Sequence, residues 1–383
     1  MEGNGFGGRN EMRLIKAIER KREVLRELGP SERAKEDYHA KREPRDCGLT
    51  VHPGIGCDLG CVYCYIKDMG FPTDKVEPYP LSGRELAIAI ASNPNVGIGP
   101  TGSYLAVGSI TEPFHPLLLS KTIEYLKWLK YLGNYTQISY KMIVPESKVD
   151  LLTSASEDRL SVLVSITTIE RWRDFEPKVP SPEQRLQFAE KLLKRGKRVA
   201  LFVRPLLPGV IEKEMGKLLE TSLSYGVNEV VVGGLRVTER IYEELLKRGV
   251  ELEGRLRERP RGRRQVYVNT RDLKIALIRE ASKRDMKVYF TACDANARHH
   301  GEVCWDSCKY DRELCDLLPA IDERDLREGL EMIGVKLLGW KVRREPLLEV
   351  EVSPLKREAG WLLQMAYRRQ VILRSGKRRL LFV

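Results

Sequence analysis

No apolar run in this 383-residue sequence is long enough to cross a bilayer. Stretches such as "ELAIAIA" and "NEVVVGG" fall far short of the roughly 20 apolar residues that a spanning helix needs. The opening "MEGNGFGGRNEMRLIKAIERKRE" lacks the apolar segment of a secretory signal, so a cytoplasmic protein without membrane association is expected. Cysteine is scarce as well, with 8 in all, too few for a disulfide scaffold. Those present are clustered, and in a reducing compartment clustered cysteines point to metal rather than to cross-links. Glutamine is rare while Glu, Lys and Arg abound, a bias that fits a thermophile. There is no internal repeat and no long low-complexity tract. What the chain does have is 42% hydrophobic residues, enough for a real core, and length for one large α/β domain with appendages or for two domains. Its net charge of +12 suggests an anionic partner, although a merely soluble basic surface would give the same sum.

Residues 1–9 are Gly-rich and read as disordered. From 10 to 44 a charged segment carries Met12, Leu14, Ile15, Ile18, Val24, Leu25 and Leu28 on one side, a helical pattern stopped by "GPSER". It reads as an arm packed on the main body, with a nucleic-acid arm as the alternative. The pattern then changes to short β-rich segments, at 103–109, 136–142, 161–168, 199–205, 229–235 and 287–292, separated by helical stretches such as "SPEQRLQFAEKLLKRGK". Such alternation means parallel strands joined by crossover helices. Several strands are apolar without alternation, as strands buried on both faces must be. The expected fold is α/β, a partial (β/α)6 barrel. Its N-terminal arm would span 1–46, partly disordered, the barrel 47–295, a Cys-rich metal-binding insert 296–330 and a small basic extension 331–383. In such sheets the chemistry gathers at the carboxyl ends of the strands. Those ends carry "GSITEP" (108–113), Lys141, "SITT" (165–168), Arg204 and "TAC" (291–293).

Residues 56–65, "GCDLGCVYCY", place Cys57, Cys61 and Cys64 within eight positions. Zinc would need a fourth ligand, and Cys47 is the only other cysteine before Cys293. A cubane iron–sulfur cluster offers four irons, so three thiolates leave one iron open for a small molecule. The CxxxCxxC spacing, with Tyr63 before the last cysteine and the strand ends downstream, resembles the signature loop of the radical S-adenosylmethionine (AdoMet) superfamily.

That resemblance implies a [4Fe–4S] cluster on Cys57, Cys61 and Cys64 that chelates AdoMet through its amino and carboxylate groups. An electron from a protein such as ferredoxin or flavodoxin would cleave it reductively, and the resulting 5′-deoxyadenosyl radical would abstract hydrogen from a substrate. "GSITEP" is similar to the superfamily's Gly-Gly-Glu-Pro motif, which implies that Ser109 and Glu112 meet the methionine ammonium. Lys141, Ser165, Thr167 and Arg204 would face the carboxylate or ribose, and Tyr63 the adenine. Together "GCDLGCVYCY", "GSITEPFHP", "SITT…RDFEPKVPSPEQRL" and "VRPLLPGV", in that order, resemble the spore photoproduct lyase-like branch over about 50 to 295. That branch implies action on nucleic acid. There is one departure. The lyase uses a downstream cysteine as hydrogen donor, and no cysteine stands between Cys64 and Cys293. Repair of spore photoproduct itself is therefore not expected.

A second set, Cys293, Cys304, Cys308 and Cys315, has a full ligand count for metal. A second [4Fe–4S] cluster near the barrel mouth is preferred to a structural zinc, with His299 and His300 as non-ligands and Cys47 idle. "RLRERPRGRRQ" (255–265) holds six arginines in an exposed loop, and the C-terminal segment adds Arg368, Arg369, Arg374, Lys377, Arg378 and Arg379. Near a mouth, both would suit a phosphate backbone. Two alternatives stand beside a nucleic-acid substrate: a peptide, protein or small-molecule substrate served by the auxiliary cluster, and a non-enzymatic zinc protein that binds nucleic acid.

Overall fold

The computed structural model describes residues 12–45 and 48–382. Residues 1–9 and Cys47, both singled out in the sequence, lie outside them. Seven short apolar segments pair as one parallel sheet. They are β1 (Gly48–Val51), β2 (Tyr104–Val107), β3 (Thr136–Tyr140), β4 (Ser161–Ser165), β5 (Arg198–Val203) and β6 (Glu229–Val232), then β9 (Lys287–Tyr289) after a hairpin of β7 (Leu235–Val237) and β8 (Val266–Val268). The order is β1-β2-β3-β4-β5-β6-β9, every pair parallel, with β1 and β9 as the open edges. All six strands drawn from the sequence form. The seventh, β1, leads into the cysteine loop.

Both faces of this sheet are buried, which is why the strands read as continuous apolar runs. Outward-facing Val162, Val164, Val199, Leu201, Val230 and Val232 join the core made with the crossover helices. Those helices begin where the sequence supplies caps. α2 (Gly83–Ser92) and α5 (Pro182–Lys194) each start with a capping box, Ser82 with Glu85 and Ser181 with Gln184. The inner face holds Leu163, Ala200, Val231 and Tyr289.

What covers that inner face departs from the sequence reading. "TAC" is not a strand end: Thr291 Oγ1 accepts the Asp294 N–H at 3.1 Å and starts α9 (Ala292–His299). Ala292 and Ala295 pack on the inner cluster. At the far end His299 is held by Ser161 Oγ at 2.8 Å and Glu229 Oε2 at 2.6 Å, from the first residues of β4 and β6. The helix thus fills the concave side from within, against the strand direction.

Past residue 330 a four-stranded sheet forms from β10 (Lys336–Arg344), β11 (Leu347–Ser353), β12 (Gln370–Ser375) and β13 (Arg378–Phe382). Its core takes in Leu326 and Leu330 of α10 (Glu323–Glu331), Leu363 of α11 (Arg357–Tyr367), and Leu14 and Ile18 of α1 (Arg13–Leu28). Further along α1, Val24 belongs to the barrel core. The arm therefore joins two bodies. No helix among the described residues is long and apolar enough to cross a membrane.

Two buried carboxylates fix that joint. Asp325 of α10 accepts the backbone N–H groups of Leu14 and Ile15 at 2.9 Å each, and the Tyr367 hydroxyl at 2.6 Å. It acts as a cap donated from another helix, where the α1 dipole favours negative charge. Gly329 permits the approach, since a Cβ there would meet Leu14 Cγ at 2.6 Å. Glu302 pairs with Arg13 at 2.7 Å and Arg368 at 2.8 Å, and Arg368 lies 4.0 Å over the Tyr104 ring.

Replacing Asp325 by Ala removes three hydrogen bonds at a buried site. It should lower unfolding free energy by about 3 kcal/mol, with Asp325→Asn intermediate. Urea denaturation measures this, and a loss below about 0.5 kcal/mol would show that the cap contributes nothing.

Candidate active site and metal centre

Period-two geometry puts alternate strand residues on the inner face. Beyond the ends of β3, β4 and β5 the same parity continues into Lys141, Thr167 and Arg204, above Ser139, Ser165 and Phe202. Strand ends thus supply polar side chains where the apolar inner layer stops.

The loop after β1 carries Cys57, Cys61 and Cys64, each only partly buried at this mouth. Its turns need glycine. Gly56 has φ +86°, and a Cβ there would meet the Lys75 carbonyl at 2.4 Å. Thr111 Oγ1 donates to the Gly56 carbonyl at 2.6 Å, and the Val62 N–H donates to the Phe175 carbonyl at 3.0 Å. Burial pushes the Cys57 thiol up to about 11, with the nearby Glu112 carboxylate adding to the rise. Burial also raises Cys61 and Cys64, while Lys141 opposes the rise at both and Arg240 opposes it at Cys64.

Behind the loop lies a buried charge network that the sequence reading missed. The Tyr63 hydroxyl donates to Glu176 and accepts from Thr167 Oγ1 at 3.2 Å. Arg185 Nη2 stands 2.8 Å from Glu176 Oε2, and Lys141 Nζ 3.5 Å from Glu176 Oε1. Arg185 Nη1 also donates to the Ser165 carbonyl at 2.6 Å. Burial alone would raise the Glu176 carboxyl, but Arg185 and Lys141 outweigh it and hold the group below its ordinary range. Even so, Glu176 Oε2 and the Arg185 Nε and Nη2 atoms make no hydrogen bond. The signal was present in "RDFEPKVPSPEQRL", where an acid and an arginine sit nine residues apart. Neither stands at a predicted strand end, so position alone did not select them.

The structure brings Tyr63, Lys141, Ser165 and Thr167 together around this network. The Tyr63 hydroxyl turns inward to Glu176. Glu112 is held by backbone amides. Its oxygens accept backbone N–H groups, from Lys141 at 3.0 Å and Phe114 at 3.3 Å, so it clips its loop to the end of β3. Burial raises its carboxyl to about 7 against the pull of Lys141 and those amides. The Ser109 carbonyl accepts the Tyr65 hydroxyl at 2.7 Å, and its Oγ stands 3.5 Å from His52 Nδ1. Burial and the neighbouring His39 push the His52 imidazole down to about 3, so it is neutral at pH 7. Arg204 stands apart, with its side chain exposed.

From the same mouth rises the insert at 235–268. Leu235, Val237, Ile241, Leu245 and Val268 pack with Val62 and Phe175, so it is built directly onto the cysteine loop. Of its six loop arginines, Arg255 is forked onto Asp272 at 2.8 Å and Arg264 paired with Glu258 at 2.6 Å. Arg257, Arg259, Arg261 and Arg263 are exposed. Beside them Tyr267 is 65% exposed, with the Arg236 guanidinium 4.1 Å over its ring.

The second cysteine set lies elsewhere. Cys304 packs with Tyr104, the first residue of β2, so it stands at the strand-start end and not near the mouth as expected. After α9 the chain folds back on that helix's first turn, which carries Cys293: Thr291 Oγ1 donates to Asp306 and Ser307 Oγ to Asp294, each at 2.5 Å. Cys308 and Cys315 share a small apolar cluster with Val303 and Leu318. Among the described residues no three His, Cys, Asp or Glu side chains gather as ligands of a single metal ion. His299 is engaged by Ser161 and Glu229, and His300 stacks on Tyr135 with ring centroids 4.2 Å apart. The C-terminal cations are also displaced from the mouth. Arg368 and Arg369 are buried in pairs with Glu302 and Glu345, leaving Lys377, Arg378 and Arg379 exposed.

Residues 51–222 match the family model described as the Radical SAM superfamily. Among solved structures, a cysteine-to-serine mutant of spore photoproduct lyase is similar at 18% identity and TM-score 0.50, over 63% of this chain and 76% of that one. A double mutant of that lyase, with bound AdoMet and dinucleoside spore photoproduct, is similar at 16% identity and TM-score 0.51, over 73% of this chain and 96% of that one. These likenesses show a shared fold. No curated protein matches the chain.

A carboxyl raised by burial stabilises the fold most while protonated. The Glu112 contribution should be present below its ordinary value of 4.5 and lost as pH rises through about 7. Relative to Glu112→Gln, the wild type should lose stability across that window, on the order of 3 kcal/mol. Denaturant titrations of both proteins at pH 4.5 and 8 check this, and parallel pH curves would refute it.

Proposed function

We propose that this chain, whose residues 51–222 match the Radical SAM superfamily model, is a radical SAM enzyme that acts on nucleic acid. The observation that carries the proposal is the position of the arginine-rich insert, packed on the cysteine loop at the same mouth. Four exposed arginines and an exposed tyrosine suit a phosphate backbone and a base face. The lyase of like fold is one that holds AdoMet and a dinucleoside.

On this reading Cys57, Cys61 and Cys64 hold a [4Fe–4S] cluster. The donor set fits: three thiols on one glycine-shaped loop, a cation beside it at Lys141, and the Arg240 guanidinium near Cys64. When bound, the cluster supplies the electron that splits AdoMet, and a ferredoxin- or flavodoxin-type protein would replenish it. The protein's own part is positional. The Thr167–Tyr63–Glu176 chain and the Arg185 charge stiffen the floor beneath the loop. On this reading Lys141, beside the loop, would meet the AdoMet carboxylate, with Ser109, Ser165, Thr167 and Arg204 on the neighbouring strand ends as the further expected contacts. Because the thiols are raised by burial, loading the loop must expel protons, so cluster uptake should quicken with rising pH.

For Cys293, Cys304, Cys308 and Cys315 we favour a second cluster over zinc. Cys304, Cys308 and Cys315 are all buried, and Cys308 and Cys315 share one small apolar cluster, surroundings that suit a shielded cluster. This second cluster would serve electron uptake from the strand-start end.

Anaerobic reconstitution followed by iron, sulfide and zinc counting tests both sites. About eight irons per chain are expected, falling to about four when Cys57, Cys61 and Cys64 are all changed to Ala, with loss of 5′-deoxyadenosine formation from AdoMet and dithionite. Four irons and one zinc would overturn the second cluster, and no iron would overturn the enzyme. For the substrate, oligonucleotide binding should fall steeply with salt. Changing Arg257, Arg259, Arg261 and Arg263 to Ser should flatten the log–log slope by up to about 3.6, at roughly 0.9 per phosphate contact for duplex. Unchanged slopes would favour a peptide or small-molecule substrate.

A further inference from the structure

One residue beyond the segment matched by the family model reaches back to the cysteine loop. Arg240 lies in the first turn of α7 (Glu239–Leu246), inside the insert. Its Nη2 donates to the Cys64 carbonyl at 2.5 Å, and its Nη1 to the Val62 carbonyl at 3.4 Å. The rest of the fork is taken by Asp68, with Nε to Oδ1 at 3.2 Å and Nη2 to Oδ2 at 2.7 Å. Thr238, the cap of the same helix, donates to Asp68 Oδ2 at 2.9 Å. Asp68 is 9% exposed and Arg240 29%, so the pair is shielded without being sealed.

A guanidinium suits this position because its donors diverge in one plane and reach two carbonyls and a carboxylate at once. The two carbonyls flank Tyr63, so holding them sets the direction in which the Cys64 side chain leaves the backbone.

We propose that Arg240 is a positioning residue for the cysteine loop, through which the arginine-rich insert holds Cys64 in ligating geometry and sets the charge beside its sulfur. This rests on the reading of Cys57, Cys61 and Cys64 as cluster ligands. A loop held from the insert has a consequence for substrate. Whatever engages Arg257 to Arg263 presses on the body that carries Arg240. The first link in that coupling is the one to test.

The readout is the cluster itself. Wild type, Arg240→Met, Arg240→Lys and Asp68→Asn are reconstituted anaerobically. Each is followed by an EPR-monitored reductive titration and by the rate of iron loss to a chelator. Removing a positive charge near a thiolate ligand should move the midpoint potential to more negative values in Arg240→Met, and iron loss should be several-fold faster. Arg240→Lys keeps the charge and should recover the potential, while its iron loss stays fast because the fork is gone. A purely structural role would lower the melting temperature and leave the potential unmoved. Should Arg240→Met fail to fold, Asp68→Asn decides. It frees the guanidinium without deleting it, so faster iron loss is expected and a wild-type rate overturns the proposal. Iron in the wild type with indifferent variants refutes Arg240 alone; no iron in the wild type refutes the cluster reading beneath it.

Discussion

A parallel sheet buried on both faces can place polar side chains only where its strands end. Here the outer face is closed by crossover helices and the inner face by α9. With Leu163, Ala200, Val231 and Tyr289 sealed inside, the inward parity turns polar at Lys141, Thr167 and Arg204. The cysteine loop follows the edge strand β1 and arrives at the same level. Geometry of the core therefore fixes the site before any residue in it is considered. The cost is that charges placed there sit against apolar walls, and each must be balanced locally.

That balance explains what could be read from the sequence and what could not. Strands were legible because burial on two faces leaves an apolar run, and the cysteine loop because its three cysteines fall within eight positions. Lys141, Ser165 and Thr167 followed from strand ends alone. Glu176, Arg185, Asp68 and Arg240 did not, because each is defined by a partner far away in sequence: Tyr63 and Glu176 are 113 residues apart, Cys64 and Arg240 176. The helix at 292 was missed for a local reason. "KVYFTA" has strand composition, and the Thr291 cap that ends it looks like one more strand-end polar residue. Misplacing that turn put the second cysteine set at the wrong end of the sheet. Charge counting failed similarly at the C-terminus, where Arg368 and Arg369 were read as surface and are internal.

The same principle governs the ends of the chain. Glu302 is nearly enclosed, and burial alone would raise its carboxyl. The Arg368 and Arg13 guanidiniums outweigh that and hold it below the ordinary range. Its contribution is therefore present above the unfolded-state value and is lost as pH falls through the folded one. Arg13 belongs to the arm, Glu302 to the cysteine segment, and Arg368 to the extension, where it also donates to the Gly102 carbonyl at 2.8 Å just before β2. One carboxylate so joins three parts of the chain to the sheet. Removing Glu302 would take the shared acid from both guanidiniums in the interior, which is why such a joint holds its parts in one register.

Charge at the mouth carries the opposite logic. Without metal, burial of the loop raises all three thiols and favours their protonated form. Cluster ligation requires thiolates, so the loop must become more negative, and a surrounding low-dielectric wall would resist it. Lys141 on one side and Arg240 on the other supply the positive charge that makes this change tolerable. Glu176 keeps Lys141 from being a bare cation when the loop is neutral. Asp68 does the same for Arg240. Each cation thus has an acid behind it and a sulfur in front, and the two acids stand on opposite sides of the loop. Such an arrangement serves a site that alternates between charge states. A permanently neutral structural loop would be more stable with apolar residues in those four places.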